Sequence, residues 1–164
     1  MKCVTMKKAR NSASPKVRRS MARTEKLALG QLNRHLGYFL RRLQLWVFQD
    51  FIRTLASLKV RPAQYSVLLI VEANPGRSQA AIGKTLGIER ARLARMLHAL
   101  ERRKWIARHA NGSDARSHSL YLTAQGAKAL AKIKCLAEQH EAKLAEHVGP
   151  SRHKQLIAWL REYA

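Results

Sequence analysis

Basic side chains are concentrated in the middle of this sequence, on a segment whose apolar residues repeat at helical spacing. Leu93, Met96, Leu97 and Leu100 follow one another at steps of three, one and three, which predicts one buried face of a helix that Glu89 opens. Three arginines lie off that face: Arg90, Arg92 and Arg95. Guanidinium groups bind phosphates and pair with the O6 and N7 atoms of guanine. The segment is therefore typical of a DNA contact, although a solvated helix face would have the same pattern.

A shorter predicted helix precedes the basic one and would position it. Ser78 is a typical N-cap and Gly87 ends this helix, so two short helices are joined through a glycine turn. This order indicates a helix-turn-helix. At the start of the first helix, Ser78 and Gln79 are candidates to donate hydrogen bonds to phosphate, or they only cap the helix.

Two short strands are predicted directly after the basic helix. Residues 105–110 and 119–122 have strand character, and residues 111–114 form the turn between them. A hairpin after the basic helix, which would be the recognition helix of the helix-turn-helix, makes a winged helix. Arg116 would lie near the tip of the wing.

Long helices are predicted at both ends of the folded sequence. From Leu29 to Leu58, apolar residues recur at steps of three or four, which predicts a helix of about 30 residues. Its second apolar stripe favours contact with another copy of the chain, and a large single-chain core is the alternative. Thr123 is a predicted N-cap for a helix that ends at Gly149, and a last apolar helix follows.

The overall charge favours a polyanionic partner. The 164 residues include 32 Lys and Arg against 10 Asp and Glu, a net charge of +22. Residues 1–26 have a net charge of +8, from nine basic residues and one acidic residue. Residues 77–116 have a net charge of +7, from ten basic and three acidic residues. We interpret residues 1–26 as a disordered tail, which is either an arm along the phosphates or a solvated segment without a specific role.

Several classes of protein are disfavoured by composition. The sequence contains no apolar run of about 18 residues, so we expect no membrane span. Cys3 and Cys135 are the only cysteines, which excludes a disulfide framework and a cysteine-rich metal site. His140 and His147 have no matching ligand cluster, so we expect scattered surface histidines and no metal. We expect no cofactor and a cytoplasmic protein.

The wing segment resembles that of the MarR family of bacterial transcriptional regulators. The residues that carry the resemblance are Asp114-Ala115-Arg116, then a strand ending Leu122-Thr123, two residues and Gly126. Pro62-Ala63-Gln64-Tyr65 and Leu100-Glu101 add to it, and it covers roughly residues 30–164. It implies a mainly α fold with a small β wing. The winged helix-turn-helix would occupy residues 59–123, and residues 27–58 and 124–164 would form the helical dimerisation region of a homodimer.

The resemblance also implies roles for individual residues. Arg116 would enter the minor groove, held by Asp114, and four recognition-helix residues would enter the major groove: Arg90, Ala91, Arg92 and Arg95. Two features depart from the family. Ala91 and Arg92 stand where small polar residues are usual, which favours guanine or phosphate contact. Lys104 stands where glycine is frequent, so a different C-cap geometry is predicted.

In this family, effectors bind between the dimer helices and the winged lobe. Five residues have suitable chemistry for an aromatic acid or an acyl-coenzyme A thioester: His35, Tyr38, Arg42, Trp46 and Tyr65. The alternative is that the aromatic residues pack in the core and the dimer while Arg42 lies on the surface.

The favoured function is a homodimeric repressor that a small ligand releases from a pseudo-palindromic operator. Its partners would be double-stranded DNA, a second copy of the chain and the effector. The alternative is an architectural or counter-silencing DNA-binding protein without a dedicated effector. An enzyme is disfavoured because the sequence has no phosphate loop, metal-ligand spacing or nucleophile–base arrangement.

Overall fold

The computed structural model describes residues 27–111 and 114–163, with the side chains of residues 111–117 left out. The predicted tail and Cys3 therefore lie outside the described residues. The chain divides into two compact units, one up to Leu43 and one from Gln44 onward. The helices and strands are α1 (Leu36–Thr54), α2 (Pro62–Ala73), α3 (Gln79–Leu86), α4 (Arg90–Arg102), β1 (Ile106–Asn111), β2 (Asp114–Leu122), α5 (Ala124–Val148) and α6 (Pro150–Arg161).

The first long helix is shorter than its apolar pattern predicts. A 3₁₀ helix at Gly30–Arg34 ends at His35, whose backbone is extended (φ −104°, ψ 111°), and α1 then has 19 residues. A second 3₁₀ turn, Ala56–Leu58, follows α1 and ends at Lys59 in the left-handed conformation (φ 50°). The prediction of one continuous helix from Leu29 to Leu58 was wrong because 3₁₀ turns also align side chains three residues apart.

The core of the second unit lies among α2, α3, α4, α5 and the sheet. Leucine and isoleucine side chains from each of these elements are almost completely excluded from solvent, and Leu55 joins them from the end of α1. The fully buried members include Leu68, Ile82, Leu93, Leu97, Leu100, Leu120, Leu130 and Ile133. The leucine face predicted for the basic helix is therefore its buried face, which leaves the opposite face to solvent.

The wing is an antiparallel pair of strands extended by a third segment. β1 pairs with β2 from Ile106 opposite Leu122 to Ala110 opposite His118. On the other edge of β2, Gly76 N donates to Leu120 O at 2.9 Å and Leu120 N donates to Arg77 O at 3.1 Å. These bonds join the segment before α3 to the wing. The start of α3 and the strand that carries the wing are consequently held together.

The turn after α4 keeps the backbone that glycine would adopt. Lys104 has a left-handed conformation (φ 56°), and Trp105 N donates to Leu100 O at 3.0 Å. The different C-cap geometry predicted for Lys104 is therefore absent, and the lysine accepts the strain of the left-handed region. At the start of α5, Thr123 Oγ1 accepts from Gly126 N at 2.9 Å, which confirms the predicted N-cap.

Large apolar side chains remain exposed on both terminal helices. On α1 they include Phe39, Leu40, Leu43, Leu45, Trp46, Phe48 and Ile52, and on α6 they include Leu156, Ile157, Trp159 and Leu160. Within residues 27–111 and 114–163, no helix is both long and apolar enough to span a membrane.

Candidate nucleic-acid interface

The turn between α3 and α4 is fixed by local caps at both helix starts. Ser78 Oγ accepts from Ala81 N at 3.3 Å, so Ser78 caps α3 and Gln79 is its first residue. Gly87 ends α3 in the left-handed conformation (φ 60°), as its position in the sequence predicts. The helix-turn-helix therefore depends on residues whose capping chemistry is readable without tertiary contacts.

Helix α4, the predicted recognition helix, is capped at its start by the carboxylate of Glu89. Glu89 accepts hydrogen bonds from Ala91 N at 2.8 Å and from Arg92 N at 3.1 Å. These two backbone bonds lower the pKa of Glu89, so the cap stays ionised. The predicted major-groove residues are all exposed on this helix: Arg90, Ala91, Arg92 and Arg95.

A concavity of about 450 Å³ lies between α3, the start of α4 and the wing strand. It is lined by Ser78, Gln79, Ala80, Gly83, Lys84, Ile88, Arg90, Leu93 and His118. It brings together three residues predicted from the sequence to contact DNA, Ser78, Gln79 and Arg90. Ala91, Arg92 and Arg95 do not line it and lie elsewhere on the exposed surface of α4.

Sequence reasoning missed two polar residues of this concavity, Lys84 and His118. Lys84 lies one helical turn after Ala80, so the helical spacing of α3 contained the signal that both share one face. His118 lies inside the wing motif but is not one of the residues that define it. Its place beside α3 follows from the pairing of β2 with residues 76–78, which no local pattern shows.

The backbone of both predicted wing residues belongs to β2. Asp114 pairs with Asn111 across the hairpin, and Arg116 lies two residues further along the strand. Their side chains are outside the described part of the structure, so the minor-groove role remains a prediction.

A second concavity lies between α1, α2 and α5 and has a volume of about 350 Å³; we call it the effector cleft because it contains Tyr65, one of the residues predicted to bind an effector. Its lining residues are Val47, Phe48, Phe51, Pro62, Tyr65, Ser66, Ala137, Glu138, His140 and Glu141. Of the five residues predicted to bind an effector, Tyr65 lines this cleft, and its ring packs on Phe51 with centroids 5.7 Å apart. Burial raises the pKa of the Tyr65 phenol, which therefore stays protonated as a hydrogen-bond donor.

The other predicted effector residues are not among the lining residues of the effector cleft. Trp46 does not line it and instead packs against His147, with ring centroids 4.9 Å apart. His35, Tyr38 and Arg42 belong to the N-terminal unit, where the Tyr38 ring meets Phe39 edge to face at 5.2 Å.

His140 lies in the effector cleft wall and is one residue that sequence reasoning misplaced. It is 3% exposed, so the expectation that it lies at the surface was wrong. Its Nδ1 lies 3.0 Å from Asp50 Oδ2, and Arg53 Nη2 lies 3.1 Å from the other oxygen of that carboxylate. Hydrogen bonds from Arg53 and then His140 lower the pKa of Asp50, so Nδ1 donates to an ionised carboxylate.

Comparison with known proteins identifies relatives of the whole folded region. The family model described as MarR family matches residues 58–117. The transcriptional repressor CouR, in a structure bound to a 23-mer DNA duplex, is 45% identical, with a TM-score of 0.79 over 84% of this chain and 98% of that chain. CouR bound to p-coumaroyl-CoA is 42% identical, with a TM-score of 0.77 over 83% and 96%.

A curated relative has a regulatory assignment as well. The transcriptional regulatory protein assigned to the hcr operon of Thauera aromatica is 29% identical over 136 residues, 82% of each chain. The PcaV regulator of Streptomyces coelicolor, at 23% identity over 84% of this chain and 96% of that chain, shares the fold with a TM-score of 0.74. The match to CouR over nearly its full length, together with the family model, shows that this chain belongs to the MarR family of transcriptional regulators.

Proposed function

We propose that this protein is a homodimeric repressor that binds duplex DNA through α3, α4 and the wing. The main support is the exposed basic side of α4, which lies beside a concavity lined by Ser78, Gln79, Lys84 and His118. Donors at a helix start and basic side chains around one groove suit a phosphate backbone. The structure of CouR bound to a DNA duplex supports duplex DNA as the partner.

The exposed apolar faces of α1 and α6 support a dimer. Trp159 is 41% exposed and Leu160 is 42% exposed, although both are side chains that a monomer would normally bury. Contiguous apolar surface on a monomer usually marks an interaction site. A second copy is the favoured partner because dimeric helix-turn-helix proteins place two recognition helices on one face of the duplex, about one helical turn apart.

The effector cleft favours a ligand whose buried end is neutral. Glu138 and Glu141 line it, and none of its described lining residues is lysine or arginine. A free carboxylate would meet these like charges, whereas an aromatic acyl thioester carries no charge at its acyl end. We therefore propose an aromatic acyl-coenzyme A effector rather than the free aromatic acid. The binding of p-coumaroyl-CoA by CouR supports this choice.

Selection from a random-sequence pool of duplexes tests DNA recognition. The purified protein should enrich a pseudo-palindromic sequence and bind it far more tightly than a scrambled duplex at near-physiological salt. Enrichment of no sequence, or equal affinity for both duplexes, would contradict a sequence-specific repressor.

Thermal shift separates the two effector classes. p-Coumaroyl-CoA should raise the melting temperature and release the selected duplex, because a ligand of the folded state stabilises it. Free p-coumaric acid is the control for the aromatic group without coenzyme A, and acetyl-CoA is the control for coenzyme A without the aromatic group. If the free acid stabilises the protein at a lower concentration than the thioester, the proposed effector class is wrong.

A further inference from the structure

Arg103 directly follows α4, and its guanidinium group is already bound to other groups of the chain. Nη1 donates to Lys59 O at 3.1 Å and Nη2 donates to Leu58 O at 2.8 Å. The Cζ atom lies 3.5 Å from the centre of the Trp105 ring. Desolvation lowers the pKa of Arg103, which fits a half-buried guanidinium group that has no acidic partner among the described residues.

The two carbonyl groups belong to the chain that follows α1. Leu58 ends the 3₁₀ turn Ala56–Leu58, and Lys59 follows it in the left-handed conformation. Carbonyl groups at the end of a helical turn lack partners and carry partial negative charge. The planar fork of arginine can bond both groups at once, which the single ammonium of lysine cannot reproduce in the same geometry.

This contact joins the 3₁₀ turn that follows α1 to the end of α4 across 44 and 45 residues of sequence. Elsewhere, α4 is held by its buried leucines and by the ion pair between Glu101 and Arg108 of β1, 2.9 Å apart. Apolar burial is non-directional, so the leucines hold α4 against the core without strictly setting its tilt. The paired hydrogen bonds of Arg103 add a directional constraint toward the turn that follows α1.

The length of α4 turns a small tilt into a large displacement at the DNA surface. At about 1.5 Å per residue, Arg92 lies about 16 Å along the helix from Arg103. A tilt of about 5° around the end of α4 would therefore move the Arg92 region by about 1.4 Å, which exceeds the distance range of a hydrogen bond.

We propose that Arg103 is a positioning residue for DNA recognition, which fixes the direction of α4 and makes no phosphate contact. The inference rests on the proposed DNA binding through α4. It assigns Arg103 to sequence discrimination, whereas its neighbour Arg102, which is exposed, contributes only general positive charge.

Arg103→Met and Arg102→Met form a matched pair, because each removes one charge from adjacent positions. The duplex selected from the random pool and a scrambled duplex are titrated at several salt concentrations, with a melting curve for every variant. Arg103→Met should weaken binding to the selected duplex by about tenfold, the cost of one misplaced base contact, and leave the scrambled duplex within about twofold. Its salt slope should equal that of the wild type. Arg102→Met should change both affinities in parallel.

Two further variants separate positioning from loss of stability. Arg103→Lys keeps the charge and should still lose part of the discrimination between the two duplexes. It therefore tests the proposal even if Arg103→Met fails to fold. Ile133→Val, in the buried face of α5, lowers the melting temperature without touching this contact and should keep the discrimination.

The proposal is overturned if Arg103→Lys discriminates like the wild type, if Arg103→Met lowers the salt slope by about one unit, or if Ile133→Val loses as much discrimination. Failure of the proposed function looks different, because then the wild type itself would not distinguish the two duplexes.

Discussion

Two arginines eight residues apart on the same helix segment have opposite surroundings. The Arg95 side chain is exposed on α4, whereas the Arg103 guanidinium group is bound to two backbone carbonyls and an indole ring. A count of basic residues treats them alike. Only the first type is available to a phosphate or a base, so the net charge of +22 overstates the charge that faces DNA.

Arg92→Ala and Arg116→Ala should each weaken binding to the selected duplex and leave the dimer intact. Loss of a guanidinium group that pairs with guanine costs about 1–3 kcal/mol and relaxes preference at one position. Loss of a pure phosphate contact lowers the salt slope by about one unit instead. Band shifts at two salt concentrations and light scattering measure these effects. Unchanged affinity of both variants would refute the proposed docking.

Asp50→Asn should lower the melting temperature at neutral pH and have little effect in acid. The pKa of Asp50 is lowered in the folded state by Arg53 and His140, so its stabilisation is present above the unfolded pKa near 4. It is lost as the pH falls through the lower, folded pKa. Loss of a hydrogen bond to a charged group costs about 1.5 kcal/mol at neutral pH. Melting curves between pH 3 and 7 measure the difference, and a gap that stays constant would contradict the assignment.

At the scale of the secondary-structure elements, the start of α5 packs closely against the turn after α4. A Cβ atom on Gly126 would lie 1.9 Å from Trp105 O, which is backbone and cannot move aside as a side chain could. The carbonyl of Trp105 also accepts from Thr123 N at 3.1 Å. The turn after α4 and the first turn of α5 are therefore packed together without space for another atom.

Gly126→Ala should destabilise the protein by about 3 kcal/mol or more, the upper range for overpacking. Gly37→Ala is the matched control, because it also lies in a helix and its added Cβ would meet nothing within 4 Å. The control should be neutral or stabilising by about 0.5–1 kcal/mol. Denaturant unfolding measures both variants. Equal stability of Gly126→Ala and the wild type would show that the first turn of α5 packs differently.

At the scale of the whole molecule, the exposed apolar side chains are the dominant feature. Those on α6 include a tryptophan and two leucines at about two-fifths exposure, and no other part of the described chain covers them. The second unit has its own buried core, so these residues are not needed to complete it.

Leu160→Lys should convert the dimer to monomers at micromolar concentration, because it places a charge in the proposed apolar interface. Lys132→Glu, on an exposed position of α5, is the control and should stay dimeric. Size-exclusion chromatography with light scattering measures the mass. The monomeric variant should also lose binding to the two-half-site duplex, and a dimeric Leu160→Lys protein would exclude α6 from the interface.

Removal of residues 1–26 distinguishes a repressor from an architectural DNA-binding protein. The segment carries a net charge of +8, so its loss should reduce the salt dependence of binding. A repressor should retain its preference for the selected duplex over a scrambled one. An architectural protein that binds through its tail would lose most of its affinity for both duplexes in the same titration.

Local chemistry made much of the fold predictable from the sequence. Ser78 and Thr123 cap helices through bonds to residues three positions ahead, and Gly87 ends a helix by its own backbone conformation. The leucine face of α4 is buried as its spacing predicts. The exposed positions of Arg90, Arg92 and Arg95 follow from the same spacing, because residues opposite a buried stripe face solvent.

The sequence by itself determined the helix order, the wing and the basic recognition helix, because caps, turns and periodicity act over a few residues. Only the tertiary structure decided which polar groups meet. His140 and Asp50 are 90 residues apart, and Arg103 binds Leu58 across 45. The place of His118 beside α3 likewise depends on strand pairing. Such contacts are set by the packing of whole elements, which no pattern within one element encodes.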